Sequence, residues 1–156
     1  MRILAIDPGY ERCGIAILER QDGRDVLIYS ECARTEKSLP FHERLRQIGE
    51  AVGRAIDTHA PRALAMETLY FSKNTKTAMQ VAEARGVITF AAAARGLPLI
   101  EYSPAAVKIA VTSAGKADKR QVMAMVPRLI SLPSRSMLDD EYDAIAIGIT
   151  HLAHTR

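Results

Sequence analysis

The stretch ILAIDPGYERCGIAIL (residues 3–18) contains two apolar runs separated by a short turn. The first run ends in a single carboxylate, Asp7, and the chain then breaks at Pro8-Gly9. The second run covers Cys13 to Leu18. Short apolar runs bounded by Pro and Gly predict two buried strands that pair in an antiparallel hairpin. Asp7 therefore lies at the end of a buried strand, where a charged side chain needs a partner or a function.

The rest of the chain predicts one α/β domain over residues 1–156, with a mixed five-stranded sheet flanked by helices. A three-strand antiparallel meander is expected to join parallel strands in this sheet. The predicted strands are residues 2–7, 12–20, 24–34, 62–67 and 97–102. The predicted helices are residues 41–59, a long Ala-rich helix to about 95, a helix after Ser103-Pro104, a helix from about 118, and about 137–153.

Two local features qualify this pattern. A polar loop is expected from Ser72 to Thr77, before the Ala-rich helix. Pro127 is expected to kink its helix or end it early, because proline lacks the N–H that the helix needs and clashes with the preceding turn.

Composition limits the class of protein without identifying it. The chain has 156 residues, 21 Lys and Arg against 18 Asp and Glu, and a net charge of +3, which permits a polyanionic partner but does not require one. The only two cysteines, Cys13 and Cys32, have no metal-binding spacing. No run approaches about 18 apolar residues, so no membrane span is expected. Together with the absence of an apolar leader, these features predict a cytoplasmic protein with reduced cysteines.

Four carboxylates are placed to meet at one edge of the predicted sheet. Asp7 and Glu67 each end a strand, and Asp140 and Asp143 lie three residues apart on one face of the last helix. The pattern Ser136-x-x-Asp139 matches a capping box, which assigns Asp139 to the helix start and Asp140 to the site. Asp139 also lies four residues before Asp143, so it remains an alternative to Asp140.

A cluster of four acids requires a cation. The carboxylates would otherwise repel one another and raise one another's pKa values. Mg²⁺ prefers a few carboxylates together with water and phosphate oxygens. Two such ions about 4 Å apart can activate water and stabilise the leaving oxygen in phosphodiester hydrolysis. Each acid taken alone is more often a turn or cap residue, so it is the combination that predicts a metal-dependent nuclease.

Several motifs in this order resemble the RuvC family of Holliday junction endonucleases, which have the RNase H-like fold. The matching segments are IDPG (6–9), AMETLYFSKNTKTA (65–78), ARGV (84–87), GKADKRQV (115–122) and DDEYDAIAIGITH (139–151). The resemblance implies that Asp7, Glu67, Asp140 and Asp143 are both the catalytic residues and the ligands of two Mg²⁺ ions, for which Mn²⁺ can substitute.

The resemblance also implies partners and a product. A homodimer is expected to bind a four-way DNA junction, to cut two strands of like polarity, and to work beside the RuvA–RuvB branch-migration complex. The chain differs from the family in two respects: it stops at Arg156, where members commonly carry a basic tail that adds DNA affinity, and it places Pro127 in a helix that is expected to continue.

Basic and aromatic residues near the acids are candidates for DNA contact, since Lys and Arg bind phosphates and exposed aromatic rings can stack on bases. The resemblance favours Lys108 and Lys119 near the scissile phosphate and Tyr70 as an aromatic residue that contacts bases. The full set of DNA-binding candidates is Tyr70, Phe71, Lys73, Lys76, Lys108, Lys116, Lys119 and Arg120, with Arg85 as a further phosphate contact.

Three other classes of protein share parts of this pattern. An ATPase of the sugar kinase or actin type would need a hydroxyl-rich turn where Tyr10 stands, and a second lobe. A non-catalytic junction-binding module would gain nothing from four acids that face DNA. Another nuclease of the RNase H-like fold remains an alternative, although the basic GKADKRQV segment favours a junction enzyme. His151 and His154 form an HxxH pattern that lacks a third soft ligand, so they are not predicted to bind a metal.

Overall fold

The computed structural model describes residues 1–69 and 75–155, with side chains at all these positions except 75 and 76. Within this part of the chain, five strands form one sheet in the order β3-β2-β1-β4-β5. The strands are β1 (Arg2–Asp7), β2 (Arg12–Gln21), β3 (Arg24–Arg34), β4 (Leu64–Glu67) and β5 (Leu99–Tyr102). The predicted mixed α/β sheet is confirmed.

The register of the sheet brings the first two acids to the same edge. β1 pairs antiparallel with β2, and Asp7 lies opposite Gly14. On its other side β1 runs parallel to β4, and β4 runs parallel to β5, where Glu67 lies opposite Tyr102. Because β1 and β4 are parallel neighbours, the carboxylates at their C-terminal ends point out of the same end of the sheet.

Helices cover both faces of the sheet. They are α1 (Phe41–His59), α2 (Thr75–Ala93), α3 (Pro104–Thr112), α4 (Lys119–Leu129) and α5 (Asp139–His154). In β1 the side chains alternate, with Leu4 and Ile6 packing against α1 and α2, and Ile3 and Ala5 packing against α3, α4 and α5. The sheet thus forms the middle of three layers, with an aliphatic core on each side. Across residues 1–69 and 75–155, no helix is long and apolar enough to cross a membrane.

Two helices begin where the sequence predicted them and carry side-chain caps. The Ser103 side chain accepts a hydrogen bond from Ala106 N at 3.1 Å at the start of α3, where Pro104 takes the first helical position. Asp118 and Gln121 form a reciprocal capping box at the start of α4, with both hydrogen bonds at 2.8 Å. These caps fix where α3 and α4 begin, and residues of both helices lie near Asp7.

Two local predictions were wrong. Thr75–Thr77 are the first turn of α2 rather than the end of a polar loop, because the helix starts earlier than the Ala-rich segment indicated. Pro127 lies inside α4, which continues to Leu129. Because the proline is so near the end of the helix, it removes one late hydrogen bond, and the last turn still closes through Ile130 N to Val126 O at 3.1 Å.

Candidate active site

Three of the four predicted acids line one cavity of about 270 Å³ at the C-terminal ends of β1 and β4. Asp7 comes from β1, Glu67 from β4 and Asp143 from α5. Two predicted DNA-binding residues, Lys108 of α3 and Lys119 of α4, line the same cavity. Its apolar wall consists of Pro104, Val107, Val122, Ala146 and Ile147. Residues that are distant in sequence are therefore brought together as the sequence predicted.

Burial and mutual repulsion both act on the acids of the cavity. Burial, together with the carboxylates of Asp143, Asp140 and Glu67, raises the pKa of Asp7 to about 7, while Lys119 opposes the rise. Burial and the Asp143 carboxylate also raise the pKa of Glu67, against the influence of Lys108. With a pKa of about 7, Asp7 is about half protonated at neutral pH, and a nearby cation would favour its ionised form. The charge of the cavity therefore favours binding of a cation.

Asp140 lies beside this cavity rather than in its wall. Its Oδ2 atom is 3.2 Å from Arg12 Nε and accepts a weak hydrogen bond from Cys32 Sγ at 3.9 Å. Asp140 nevertheless contributes to the raised pKa values of both Asp7 and Asp143, so it belongs to the same cluster of charges.

The predicted capping role of Asp139 was wrong. The residue before α5 is Leu138, and Glu141 closes the turn by accepting from Leu138 N at 3.3 Å. Asp139 instead pairs with Lys119, whose Nζ atom is 3.0 Å from Asp139 Oδ2 and 2.9 Å from Asp143 Oδ2. This contact holds the pKa of Asp139 below its usual value and raises that of Lys119. The S-x-x-D pattern failed because the helix begins three residues after Ser136.

A glycine on β2 allows α5 to approach the sheet closely. A Cβ atom added at Gly14 would lie 1.9 Å from the main-chain oxygen of Asp140 and 3.3 Å from Ala144 Cβ. Since Gly14 also pairs with Asp7, the first turn of α5 rests directly beside the strand end that carries Asp7. The absence of a side chain at this position thus brings the acids of α5 to those of the sheet.

The donor set suits a hard divalent cation, because carboxylate oxygens are its preferred protein ligands. In the described ranges, however, no group of three or more His, Cys, Asp or Glu side chains is arranged closely enough to hold a metal ion. Lys119 pairs with Asp143 and Arg12 pairs with Asp140. The carboxylate chemistry of the cluster fits a hard divalent cation.

The remaining DNA-binding candidates fall into two groups. Lys116 and Arg120 are exposed near the start of α4, beside Lys119. Tyr70, Phe71 and Lys73 lie outside the described residues, as does the side chain of Lys76, whose backbone is in the first turn of α2. The structure therefore places the cluster at the start of α4 near the cavity.

Arg85 has a different environment from the one expected of a phosphate contact. Its guanidinium donates to the main-chain oxygen of Glu67 at 2.7 Å and pairs with Glu101. These contacts fasten α2 to the strand end that carries Glu67. Sequence reasoning selected the residue for its charge, but its partners could be known only from the fold.

The HxxH pattern of α5 has partners of its own. His151 is buried, and its Nδ1 atom is 2.9 Å from the Tyr102 hydroxyl. His154 Nδ1 is 2.8 Å from the carbonyl of Thr150. Burial lowers the pKa of His151, which keeps its ring neutral at pH 7. Neither contact brings the two rings together on a common ligand.

Comparison with known proteins agrees with the fold. A family model described as crossover junction endodeoxyribonuclease RuvC matches residues 3–151. The chain is 42% identical over 152 residues to the protein of that name from Rhodococcus jostii, which covers 97% of this chain and 80% of the relative. It is 41% identical to the protein of that name from Pelotomaculum thermopropionicum, over 99% of this chain and 94% of the relative. A solved structure described as T. thermophilus RuvC in complex with Holliday junction substrate superposes with a TM-score of 0.92 at 29% identity, over 100% of this chain and 95% of the other.

An acidic cavity at the ends of the two central strands of this mixed sheet defines a nuclease of the RNase H-like fold. The chain belongs to the RuvC family of crossover junction endodeoxyribonucleases.

Proposed function

We propose that the chain resolves four-way DNA junctions by metal-dependent hydrolysis of phosphodiester bonds at the Asp7 cavity. The observation that carries this proposal is the meeting of Asp7, Glu67 and Asp143 with Lys108 and Lys119 in one cavity. Acids alone would repel DNA, and lysines alone would bind it without cutting. A junction substrate follows from family membership and from the T. thermophilus relative, whose structure is described as a complex with a Holliday junction.

The four acids Asp7, Glu67, Asp140 and Asp143 would hold two Mg²⁺ ions, with Mn²⁺ as a substitute. When bound, such ions activate a water molecule and stabilise the leaving oxygen. Asp7 and Glu67 are fixed on rigid strands, so their carboxylates need little reorganisation to serve as ligands. Asp140 would exchange its contact with Arg12 for the metal, and Asp143 would exchange its contact with Lys119.

Lys119 then has a second role in the presence of DNA. In the described structure its ammonium group is shared by Asp139 and Asp143. If Asp143 held a cation, the ammonium group would be available to a phosphate, and Asp139 would remain as its partner. Lys108, Lys116 and Arg120 would extend this phosphate contact along α3 and α4. Tyr70, Phe71, Lys73 and Lys76 remain DNA-binding candidates from the sequence.

A homodimer is proposed on the basis of α2. Met79 and Phe90 on this helix are 64% and 74% exposed, although both are large and apolar. Ala78, Ala91 and Ala92 on this helix are buried within the chain. The opposite face of α2 is therefore left for a partner.

The cellular setting follows from the family. We infer a single nuclease domain that works in the cytoplasm beside the RuvA–RuvB branch-migration complex. The two cysteines, Cys13 and Cys32, are both unpaired, which agrees with a reducing compartment.

A cleavage assay on a synthetic four-way junction tests this function. With Mg²⁺, the wild-type protein is expected to give paired, symmetric nicks. Asp7→Asn and Asp140→Asn should lower the rate by about 100-fold or more, because each removes a metal ligand. Both variants should keep or improve junction binding, since each removes one negative charge that faces a phosphate.

The control is Asp22→Asn, which changes an exposed turn residue at the opposite end of the sheet from Asp7 and should cut like the wild type. A wild-type protein that binds the junction without cutting it would contradict the proposal. Normal cleavage by Asp140→Asn together with loss of cleavage by Asp139→Asn would instead exchange the roles of these two residues.

A further inference from the structure

An ion pair with one buried partner lies beside the acids of α5 and has no part in the proposed chemistry. Glu141, between Asp140 and Asp143 on α5, is only 3% exposed. Arg135 binds its carboxylate with both terminal nitrogens, through Nη2–Oε2 at 2.6 Å and Nη1–Oε1 at 3.2 Å. The Ser30 hydroxyl donates to Oε2 at 2.9 Å. Almost all the hydrogen-bonding capacity of this carboxylate is used within the protein.

The same pair is fastened to the sheet. Arg135 Nη2 also donates to the main-chain oxygen of Ser30 at 2.7 Å and to its hydroxyl at 3.0 Å. Ser30 belongs to β3, the edge strand, and is 8% exposed. Arg135 itself lies in the segment that joins α4 to α5. The cluster of Ser30, Arg135 and Glu141 therefore connects β3, this segment and the first turn of α5.

Net stability is a weak explanation for this cluster. Moving the Glu141 carboxylate out of water is unfavourable, and the Arg135 side chain that pairs with it is 44% exposed, so solvent weakens the attraction between them. A bidentate arginine–carboxylate pair does provide a fixed orientation, since both groups are planar and both hydrogen bonds must align. The arrangement is therefore suited to holding a piece of backbone in one place.

We propose that Ser30, Arg135 and Glu141 form a positioning network that fixes the first turn of α5 and thereby aims Asp140 and Asp143 at the metal site. The inference rests on the proposed function of the cavity. None of the three residues is a proposed metal ligand; they act through the helix that carries two of the ligands.

Two further contacts show how the network sets this turn. Glu141 Oε1 accepts from Leu138 N at 3.3 Å, so the same carboxylate also closes the first turn of α5. The close approach at Gly14 sets the distance between α5 and β2, since the main-chain oxygen of Asp140 fills the space of a Cβ. The network ties the turn to Ser30 of β3 through hydrogen bonds. These hydrogen bonds and the close approach at Gly14 together fix the position of the turn.

The pairing also keeps the Arg135 charge away from the metal ligands. Asp140 and Asp143 have Arg12 and Lys119 as partners, and the side chains of Arg12, Lys119 and Arg135 are 46%, 53% and 44% exposed. Arg135 is instead committed to the almost fully buried carboxylate of Glu141. Without Glu141, Arg135 would become a further cation competing for the acids of α5.

The test measures metal binding directly as well as cleavage. Glu141→Gln keeps the shape of the side chain but removes its charge, and Ser30→Ala removes one hydroxyl and leaves the main chain intact. Calorimetric titration of the DNA-free protein with Mn²⁺ is expected to show affinity about 10-fold weaker for Glu141→Gln, with a smaller loss for Ser30→Ala. The Mg²⁺ concentration for half-maximal junction cleavage should rise by the same factor, while metal-free junction binding stays unchanged.

A matched control breaks another ion pair on the same strand. Arg20 Nη2 lies 2.7 Å from Asp25 Oδ1, far along β3 from Ser30, and Asp25→Asn removes the charge of this pair. This variant should lower Tm as any lost ion pair does, yet bind Mn²⁺ like the wild type. All measurements are made well below the Tm of each variant, and Ser30→Ala serves if Glu141→Gln does not fold.

The outcomes separate the inference from the proposed function. If the wild type binds Mn²⁺ and cuts junctions, and the folded variants match it at every metal concentration, the network is only structural and the inference is overturned. If the wild type itself neither binds Mn²⁺ nor cuts, the proposed function fails first and the inference fails with it. A selective loss of metal affinity in Glu141→Gln and Ser30→Ala, absent in Asp25→Asn, supports the inference.

Discussion

Asp7 shows how one residue can be unfavourable for folding and suited to function. It ends a strand whose preceding four residues, Ile3 to Ile6, are fully buried, so its carboxylate cannot move away from the cavity. Burial, together with the neighbouring acids, raises its pKa to about 7. The fold therefore favours a protonated Asp7, whereas a bound cation would favour the ionised form. This conflict is a common property of residues that serve a reaction rather than the core.

The raised pKa of Asp7 predicts a pH-dependent penalty on stability in the metal-free protein. The unfolded chain ionises Asp7 near pH 3.8, whereas the folded protein resists ionisation until about pH 7. Stability is therefore lost as the pH rises from about 4 to 7, and the penalty is complete above pH 7. Asp7→Asn removes it, so this variant should be more stable than the wild type by up to about 4 kcal/mol at pH 8 and by little at pH 4.

Thermal unfolding in EDTA across this pH range measures the effect. Saturating Mg²⁺ provides the control, because a metal that binds only the folded wild type should stabilise it and narrow the difference at pH 8. A gain in Tm that stayed constant from pH 4 to pH 8 would show that the Asp7 carboxylate is not strained by its surroundings.

Contacts of several kinds fix the position of helix α5. Its acidic first turn suits the positive end of the helix dipole. The same turn must also deliver Asp140 and Asp143 to an edge of the sheet that already holds two carboxylates. Gly14 permits the approach, and the network around Glu141 directs it. The position of α5 thus depends on strand residues more than a hundred positions earlier in the chain.

Gly14→Ala tests this dependence. The new methyl group would overlap the main-chain oxygen of Asp140, which cannot rotate away as a side chain would. We expect a loss of about 1–3 kcal/mol in the free energy of unfolding, as overpacking usually causes. Because the first turn of α5 must shift, junction cleavage should fall by more than 10-fold in protein that is still folded.

Gly115→Ala is the control, since its methyl group would meet only Ile109 side-chain atoms at 3.4 Å or more. Wild-type cleavage by folded Gly14→Ala would show that this contact does not place the acids.

The sequence predicted elements better than it predicted the partners of charged side chains. Apolar runs and helical spacing located the strands and the convergence of Asp7 and Glu67, because both follow from local patterns and from the rule for parallel strands. The cap of α5 was misplaced, since Ser136 and Asp139 match a local motif whereas Glu141 is held by a residue of β3. Such choices depend on long-range contacts that no local pattern records.

At the scale of the whole molecule, α2 connects two functional regions. Arg85 on its inner side binds the main-chain oxygen of Glu67, and Phe90 on its outer side faces away from the core. A single rigid helix thus lies between the cavity and the proposed dimer face. Paired cleavage of a symmetric junction requires two cavities in a fixed relation, and a twofold contact through α2 would supply it.

The exposed face of α2 predicts how the dimer can be broken. Phe90 is 74% exposed in the isolated chain, and an aromatic ring of this size is typical of the residues that dominate binding at an interface. Phe90→Asp should weaken dimerisation by about 30-fold or more, because a charge would be buried against the partner. Sedimentation equilibrium measures the change, and gel analysis of the cut junction should show unpaired nicks at a lower rate.

Leu129→Asp is the matched control for this prediction. Leu129 is also a large exposed apolar residue, 43% exposed, but it lies at the end of α4 on the other face of the sheet. This variant should have the same dimer dissociation constant as the wild type, which shows that a new surface charge alone does not weaken dimerisation. If Phe90→Asp sedimented as a dimer, or if Leu129→Asp dissociated instead, the interface would have to be sought away from α2. Paired cleavage would then require a different interface to hold two cavities in a fixed relation.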